Sequence, residues 1–370
     1  MPAVALPDTA AWLADLAGEP LPGRRREDWR FTDLAPLQAV AAQQWSGPDP
    51  FGQLSLPEGV SRMDPTLAKP LLDQGLQSTG GSGSWPVRLN QGASPTCLAL
   101  RVSGAAAPLQ LALDAAAGPG LLAVQVLLVL EPDASLELLI QHRSCAVNAT
   151  SLVTVAQLGP GATLNLGVLA PGAPGASLLS HLAISQAPGS ALQLTTAVGG
   201  WALSRLEPRI CQLDGAAHTR LRALQLVMGQ ELADTHSHVQ FDGPAGQLDQ
   251  LHKVVADGAG RSVFNGAVRV PRQAQQTNAS QLSRSLLLSD RARVDTKPEL
   301  EIVADDVKCA HGATVSRLQQ NELFYLQSRG IAADQASRLL LRGYCDEVLR
   351  ELPAAAASAH PLQLLLRERP

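Results

Sequence analysis

A short phrase returns through the middle of the chain at a fixed interval of 28 residues. It stands at Glu131–Leu138, Gly159–Leu166 and Ala187–Leu194, with weaker echoes at Asp214-Gly215 and Asp242-Gly243. Each phrase is a turn of Pro, Gly or Asp followed by alternating apolar and polar residues, and this alternation is the period of a half-buried β-strand. A repeat of this length indicates stacked units that bury one continuous core.

The repeat predicts stacked β-coils, that is, a parallel β-helix or a close relative. Helical repeats fit poorly, because Pro and Gly recur inside every unit and the apolar spacing is two residues rather than three or four. A β-sandwich with regular hairpins is the alternative, but hairpins do not readily give a fixed interval. We therefore divide the chain into an N-terminal helical domain with a linker (1–85), a β-helix core (86–312) and a C-terminal helical domain (313–370).

The composition excludes several classes of function. Aromatic residues make up only 3% of the chain, so the core must be aliphatic, and a net charge of −4 gives no basic field that would attract nucleic acid. None of the lysines follows a Gly-x-x-x-x-Gly phrase, so there is no Walker A loop, and any ATPase must be another chain. The N-terminus shows no secretory signal, and the longest apolar run, Leu121–Leu130, is too short to span a bilayer. We expect a soluble cytosolic protein with no membrane contact.

The cysteines do not form a self-contained site. They stand at Cys97, Cys145, Cys211, Cys309 and Cys345, an odd number with wide spacing and no Cys-x-x-Cys. This pattern is neither a disulfide framework nor a complete zinc or iron–sulfur cage.

The N-terminal region is predicted to be helical and then flexible. Trp12, Leu13 and Leu16 stand at helical spacing after Asp8-Thr9, which predicts a helix cap. Residues 46–84 are rich in Pro, Gly and Ser, which indicates a flexible linker or exposed loop.

Three histidines are weak candidates for a metal site. His236 and His238 lie two residues apart on one face of a predicted strand, with His252 nearby in sequence. A His-x-His pair alone is a weak signal, and ordinary surface histidines are the alternative interpretation.

A stronger candidate pair lies near the end of the β region. If residues 300–311 are one strand, Cys309 and His311 share a face and lie about 7 Å apart at the backbone. A thiol and an imidazole at that spacing can converge on one metal, or one can activate the other. The alternative is a buried cysteine beside a hydrogen-bonded histidine. Gly312 is expected to release the chain into a turn.

The C-terminal region changes to a helical pattern at Ser316. One helix is expected to end just before Gly330, and a second to run from about Asp334 to Leu352. Their apolar residues exceed what one contact needs, so one face is expected to pack on the body and the other on a partner. The candidate partner contacts are Phe324, Tyr325, Leu340, Leu341, Tyr344 and Leu349. The tail after Pro353 is expected to be mobile, apart from a turn at Leu364–Leu366.

Four segments of the sequence carry a resemblance to a known family. They are Glu27–Leu34, Thr296–Ile302, Asp305–Thr314 and Leu323–Ile331. On these residues the chain resembles the SufB/SufD family of iron–sulfur cluster assembly proteins. Within the family it is more similar to SufD, because Lys-Cys-x-His-Gly-Ala-Thr is the SufD form of the phrase. SufB also carries a cysteine in the strand before Thr-Lys-Pro, and residues 278–285 contain none.

The resemblance implies a fold, partners and a site. It implies a right-handed parallel β-helix between two helical domains, in a complex with SufB and two copies of the ATPase SufC. It implies pairing with SufB through the β-helix, contact with SufC through the C-terminal helices, and a place for His311 at the SufB interface where the cluster forms. No stable cofactor is expected in the isolated chain, although a transient iron–sulfur cluster can form at that interface. A homodimer through the β-helix is allowed for the isolated chain, in the cytoplasm or a compartment like the plastid stroma.

Two other functions remain open on the sequence alone. A β-helix enzyme acting on carbohydrate would need a secretory signal and carboxylates or calcium ligands along an open groove. Neither is evident in the sequence. A purely structural interaction protein without a cluster role would use Cys309 and His311 as core residues. We expect a non-enzymatic scaffold.

Overall fold

The repeated phrase forms one corner of a stack of parallel β-coils. The structure is a computed structural model that describes residues 8–115, 118–144 and 147–366. Its centre is a parallel β-solenoid of about eight turns, which confirms the predicted fold class and excludes a sandwich of hairpins. Cys145 lies outside the described residues.

Each coil contributes one strand to each of two facing sheets. One sheet has the order β1-β2-β4-β6-β8-β10-β12-β14-β16 and is called the even sheet, and the other has the order β17-β15-β13-β11-β9-β7-β5-β3 and is called the odd sheet. All neighbouring strands are parallel except β1 and β2, which are antiparallel. The strands of the described residues are β1 (Val60–Arg62), β2 (Thr96–Val102), β3 (Leu109–Asp114), β4 (Gly120–Leu130), β5 (Ser135–Arg143), β6 (Asn148–Leu158), β7 (Thr163–Pro171), β8 (Ser177–Gln186), β9 (Ala191–Gly199), β10 (Leu203–Gln212), β11 (His218–Val227), β12 (Leu232–Phe241), β13 (Gln247–Ala256), β14 (Arg261–Val270), β15 (Asn278–Leu287), β16 (Arg293–Ile302) and β17 (Lys308–Ser316).

Local turn chemistry explains why the phrase recurs. Its third residue is Asp133, Gly161 or Gly189, and each has a left-handed backbone with φ of +59°, +69° and +74°. The backbone N–H of Asp133 donates to the carbonyl oxygen of Pro160 in the next coil at 2.9 Å. In the same way, the N–H of Gly161 donates to the carbonyl oxygen of Pro188 at 3.2 Å. Glycine and aspartate tolerate this conformation, and the hydrogen bond satisfies a backbone group that the corner would otherwise leave unpaired. The repeat therefore sets the stacking of the coils.

The N-terminal helices cover the outer face of the even sheet. They are α1 (Thr9–Ala17), α2 (Ala35–Gln38), α3 (Pro65–Ser78) and α4 (Trp85–Gly92), with a short 3-10 helix at Glu27–Trp29. Asp8 caps α1 as predicted, because its carboxylate accepts from the N–H of Ala10 at 3.0 Å. Leu13, Trp29 and Trp85 are buried against outward-facing residues of the even sheet.

The predicted linker or exposed loop over residues 46–84 is wrong in its second half, whereas residues 46–59 lie outside the helices and strands. Helix α3 occupies its second half, and Leu72 and Leu76 of that helix are buried against Val153 and Val155 of β6. Pro and Gly in this segment had indicated a loop, but a Cβ on Gly75 would lie 2.3 Å from Val155, so this glycine allows α3 to approach the sheet closely. The β region also begins later than predicted, because α4 occupies Trp85–Gly92 and the first parallel strand, β2, starts at Thr96.

The C-terminal helices lie on the outer face of the odd sheet. They are α5 (Gln320–Ser328), α6 (Ala333–Leu349) and α7 (Pro361–Leu366), with a 3-10 helix at Ala354–Ala359. Gly330 follows α5 with φ of +85°, which confirms the predicted helix stop. The expectation of a mobile tail after Pro353 is wrong for the described residues before Leu364, because Ala356 is buried against the odd sheet. The turn expected at Leu364–Leu366 lies within α7, where Leu365 is buried. Among the described residues, no helix is long and apolar enough to cross a membrane.

The two ends of the solenoid differ. At the first coil, β1 pairs with the edge of β2, and Phe51 is buried in the end of the core. At the last coil, Val303 and Val315 are each 50% exposed. Among the described residues, β1 thus covers the edge of β2 at the beginning of the stack while β3 keeps a free edge, and both β16 and β17 are uncovered at its end.

Candidate functional site

Cys309 and His311 lie on the same face of β17, at the open end of the stack. Cys309 pairs in register with Ala279 of β15, and His311 pairs with Gln281. Ala279 and Gln281 are both buried in the interior of the preceding coil. The side chains of Cys309 and His311 therefore both lie on the interior side of the last coil. This confirms the prediction that the two residues share a face of the strand. No later coil in the described part of the chain covers them, so Cys309 is half-buried and His311 is exposed.

The backbone around this pair differs from the prediction in two respects. Residues 300–311 are not one strand, because β16 ends at Ile302 and β17 begins at Lys308, with a bend at Asp305 and Asp306 between them. The N–H of Asp306 donates to the side chain of Gln275 at 2.9 Å, so this bend stacks on the corner of the previous coil. Gly312 lies inside β17 and makes no turn.

The pair offers two metal ligands of different character. Burial raises the pKa of the Cys309 thiol, and a backbone hydrogen bond with Ala279 opposes that shift. The thiol must therefore lose its proton when a metal binds. Within the described ranges, no group of three or more His, Cys, Asp or Glu residues is arranged to hold a metal ion. A metal ion held by Cys309 and His311 therefore needs further ligands besides these two residues.

A row of amides leads through the interior to His311, and sequence reasoning missed it. The side-chain amide N–H of Gln250 donates to the hydroxyl of Ser237 at 2.8 Å, and that of Gln281 donates to the side-chain oxygen Oε1 of Gln250 at 2.9 Å. In register, Gln250 pairs with Gln281 and Gln281 pairs with His311. The steps are 31 and 30 residues, so the 28-residue interval of the early coils does not find them. The feature of the sequence that could have revealed the row is a glutamine that faces inward one coil before His311.

The three weaker histidine candidates do not meet. His236 and His238 are on β12 in the even sheet, and His252 is on β13 in the odd sheet. His252 points into the core, where its ring stacks on Phe264 at 4.2 Å and burial lowers its pKa to about 3. Burial, with nearby Arg209 and Arg269, lowers the pKa of His238 to about 4.

His236 belongs instead to a buried ionic cluster under the N-terminal helices. Its Nε2 lies 3.0 Å from Asp234, which also pairs with Arg205. Arg205 bonds Glu207 at 2.7 Å, and Glu207 in turn lies 3.0 Å from His181. The Arg205 guanidinium holds the pKa of Glu207 well below its usual range despite burial. We define Arg205, Glu207, Asp234, His181 and His236 as the ionic cluster.

The helical candidates separate into two groups. Leu349 is buried against the odd sheet, and Leu340, Leu341 and Tyr344 are half-buried. The hydroxyl of Tyr344 donates to the carbonyl oxygen of Arg284 on β15 at 2.7 Å, so this side chain contacts the β-solenoid.

The side chains of the second group are exposed to solvent and are not buried against the β-solenoid. Phe324 is 72% exposed, Tyr325 is 59% exposed, and Leu339 on the next helix is 51% exposed. Helix α5 has no buried residue, and it packs on α6. Part of the predicted surface is therefore free, and part is internal packing.

The comparison with known families identifies the chain. The family model described as SUF system FeS cluster assembly, SufBD core domain matches residues 113–344, which is well over half of the chain. The chain belongs to the SufBD family. Within this family it is most like SufD, which confirms the prediction from the Lys308–Thr314 phrase.

Several curated relatives are similar to part of the chain. The SufBD family protein slr0076 of Synechocystis is 43% identical over 178 residues, which cover 48% of this chain and 39% of that protein. Protein ABCI7, chloroplastic, of Arabidopsis thaliana is 43% identical over 171 residues, covering 46% of this chain and 36% of that protein. The iron–sulfur cluster assembly protein SufD of Escherichia coli is 39% identical over 142 residues, covering 38% and 34%. Each match thus spans less than two fifths of the relative's own length.

The SufBD match contains the whole of the site. It begins within β3 and ends inside α6, so it includes Cys309, His311, the amide row and the exposed helix α5. Strand β15, which precedes the Thr296-Lys297-Pro298 segment, carries no cysteine.

Proposed function

We propose that this SufBD protein is the SufD-like scaffold subunit of an iron–sulfur cluster assembly complex, which pairs with SufB and binds the ATPase SufC. Family membership supports the cluster assembly role, and relatives from Escherichia coli and Bacillus subtilis are named SufD. The chain acts as an accessory scaffold rather than as an enzyme.

The observation that carries the pairing proposal is the uncovered last coil. A solenoid end presents unpaired strand edges and an open core, and such an end invites pairing with another β structure. Val303 and Val315 add apolar surface there, while at the first coil β1 covers the edge of β2 and Phe51 is buried in the end of the core. SufB is the proposed occupant of the open end, and a second copy of this chain takes its place when SufB is absent.

The same contact would complete a site for the cluster as cargo. Cys309 and His311 supply a thiolate and an imidazole at the open end, and both are ligands that iron accepts. SufB supplies the remaining ligands, because β15 of this chain has no cysteine to add. The cluster is transient, and no stable cofactor resides in the isolated chain.

The exposed aromatic residues on α5 support a docking site for SufC. Phe324 and Tyr325 are large apolar side chains left in water in a chain with few aromatics, which is typical of an interaction surface. The absence of a Walker A loop fits nucleotide hydrolysis by the partner. Binding of SufC to α5 and α6 would couple its nucleotide cycle to the scaffold only if two scaffold states bind SufC differently.

The printed names of two relatives support a proposal for the compartment. The Arabidopsis relative is named as chloroplastic, and the Escherichia coli relative is a bacterial protein named SufD. We place the chain in the cytoplasm or in a plastid stroma, according to its source.

Co-expression with SufB and SufC tests the proposal. The complex is purified without oxygen, and iron and sulfide are measured per complex, for the wild type and for His311→Ala. The matched control is His218→Ala, an exposed histidine on β11 of the same sheet. We expect a stable complex in all three, and cluster loss only with His311→Ala. Normal cluster content in His311→Ala would show that His311 does not take part in the cluster site. Failure of the wild-type protein to co-purify with SufB and SufC would refute the proposed role in the assembly complex.

A further inference from the structure

We propose that Gln281 is the positioning residue for His311, an inference that rests on the cluster-binding role given to His311 above. Gln281 lies directly opposite His311 on the neighbouring strand of the odd sheet. Its side chain points into the solenoid, on the face that His311 shares. When SufB covers the last coil, the imidazole donates one ring N–H to the carboxamide oxygen of Gln281.

The first support is an unsatisfied acceptor. The Oε1 atom of Gln281 is buried and has no hydrogen-bond partner within the part of the chain that the structure describes. A buried acceptor left without a partner costs about 1–3 kcal/mol, so native structures keep few of them without a reason. A donor that arrives at the next register position would remove this cost, and His311 occupies that position.

The second support is the direction of the amide row. Gln281 uses its amide N–H to bond the oxygen of Gln250, and Gln250 uses its own N–H to bond Ser237. Both glutamines therefore use an amide N–H on an earlier strand, and the Oε1 atom of Gln281 is the unused end of the row. Hydrogen bonds in such a chain polarise one another, which makes the last oxygen a better acceptor.

The third support is that Gln281 cannot easily turn away. A Cβ built on Gly266 of β14 would lie 2.5 Å from the amide nitrogen of Gln281, so the amide lies directly against the glycine backbone. The side chain is only 2% exposed. A fixed acceptor can orient an imidazole, whereas a mobile one cannot.

The consequence for the site is the choice of imidazole tautomer. In metal sites the second ring nitrogen of a ligating histidine almost always donates to a carboxylate, carbonyl or water. A hydrogen bond to Gln281 holds the proton on one ring nitrogen and leaves the lone pair of the other for iron. Gln281 thus acts on the cluster through His311 and touches no iron itself.

A double-mutant cycle in the intact complex with SufB and SufC tests this role. The variants are Gln281→Leu, His311→Ala, the double variant, and Gln281→Glu, which keeps an acceptor oxygen at this position. Gln225→Leu is the matched control, because Gln225 is a buried glutamine that bonds Thr235 and Ser262 inside earlier coils. Cluster content, the pH profile of cluster loss, and the unfolding midpoint are measured for each complex.

We expect Gln281→Leu to reduce cluster retention about tenfold and Gln281→Glu to restore most of it, as found for outer-shell partners of metal ligands. Gln281→Leu should have no further effect in the His311→Ala background, because it acts through that imidazole. Additive losses, or an equal loss in Gln225→Leu, would show a merely structural role. If His311→Ala alone keeps full cluster content, the cluster role of His311 fails and the positioning role fails with it. If His311→Ala loses the cluster while Gln281→Leu keeps it, only the positioning role is overturned.

Discussion

The guanidinium carbon of Arg205 lies 3.8 Å from the centre of the Trp29 ring. The same guanidinium bonds the backbone oxygen of Asp28 at 2.9 Å and the carboxylates of Glu207 and Asp234. One side chain therefore ties the N-terminal segment to two coils of the solenoid. Removing one partner of a buried ion pair is strongly destabilising, because the other charge is then left buried and unpaired. Arg205 should therefore contribute much of the free energy that holds the N-terminal segment on the solenoid.

Arg205→Met should destabilise the protein by about 3–5 kcal/mol, because it leaves two buried carboxylates without their counter-ion. Urea unfolding followed by tryptophan fluorescence gives the free energy of unfolding, and Trp29 reports on the contact directly. The matched control is Arg220→Met, whose ion pairs with Asp249 and Glu351 are largely exposed and should be worth less than about 1 kcal/mol. Equal losses in the two variants would contradict the special role of Arg205.

Stability should fall as the pH drops below about 6.5. Burial lowers the pKa of His142 to about 4 and that of His252 to about 3, and neither ring has a hydrogen-bond partner among the described residues. A folded-state pKa below the unfolded value means that the unfolded chain binds more protons. The stabilisation is therefore complete above about pH 6.5 and is lost as the pH falls toward the folded pKa, by up to about 1.4 kcal/mol per pH unit for each ring.

Unfolding midpoints between pH 7 and pH 4 check this sign. His252→Leu should flatten the pH slope, because it replaces the buried ring by a side chain that does not titrate. His218→Leu removes an exposed imidazole and should leave the slope as it is. A slope that survives in His252→Leu and His142→Leu together would assign the acid sensitivity to other groups, such as the carboxylates of the ionic cluster below about pH 4.5.

Lys253→Met should loosen helix α6 without unfolding the coils. The buried ammonium group donates to the carbonyl oxygen of Tyr344 at 2.8 Å, pairs with Glu347, and lies 4.0 Å from the centre of the Tyr344 ring. Its loss removes this charged hydrogen bond and the ion pair with Glu347, and a hydrogen bond to a charged group is worth about 1.5–3 kcal/mol. Hydrogen exchange over Ala333–Leu349 should accelerate while exchange in β4 and β6 stays slow, and Lys69→Met, at an exposed pair on α3, is the control.

Phe324→Glu and Tyr325→Glu should each abolish binding of SufC and change the free energy of unfolding by less than about 0.5 kcal/mol, because both side chains already face solvent. Pull-down with SufB and SufC measures the binding. Leu349→Ala is the contrasting variant: this buried residue should cost about 2–5 kcal/mol in stability. Truncation after Gly330 is less informative, because it also removes α6 from the odd sheet. Retained SufC in both α5 variants would place its contact elsewhere.

Val303→Lys with Val315→Lys should prevent pairing at the open end, with SufB or with a second copy, and leave SufC binding intact. A charge placed in a desolvated contact is strongly unfavourable when it has no partner. Analytical ultracentrifugation of the isolated chain and co-purification with SufB give the two measurements. Leu67→Lys, at another exposed apolar residue far along the chain, is the control. Unchanged pairing would move the interface away from the last coil.

Features set by short-range chemistry could be predicted from the sequence, and features set by stacking could not. The corners at Asp133, Gly161 and Gly189 were predictable, because a left-handed backbone demands particular residues. Helix α3 was missed because Gly75 indicates a loop by composition, and only its contact with Val155 makes it a helix residue. The shared face of Cys309 and His311 follows from a spacing of two. The partnership of His311 with Gln281 depends on coils that lengthen to 30 or 31 residues, and no local pattern sets that length.

The unequal ends of the solenoid limit how far assembly can proceed. A strand stack with two free ends could add copies head to tail and grow into a fibre, because such contacts do not close. Here β1 pairs antiparallel with the edge of β2, and Phe51 is buried in the end of the core, so the first coil does not present the two parallel edge strands that β16 and β17 present at the last coil. Pairing of two last coils joins like ends. Association by this route stops at two chains. A cap of three strand residues at one end thus makes a finite pair the natural product of a surface that would otherwise polymerise.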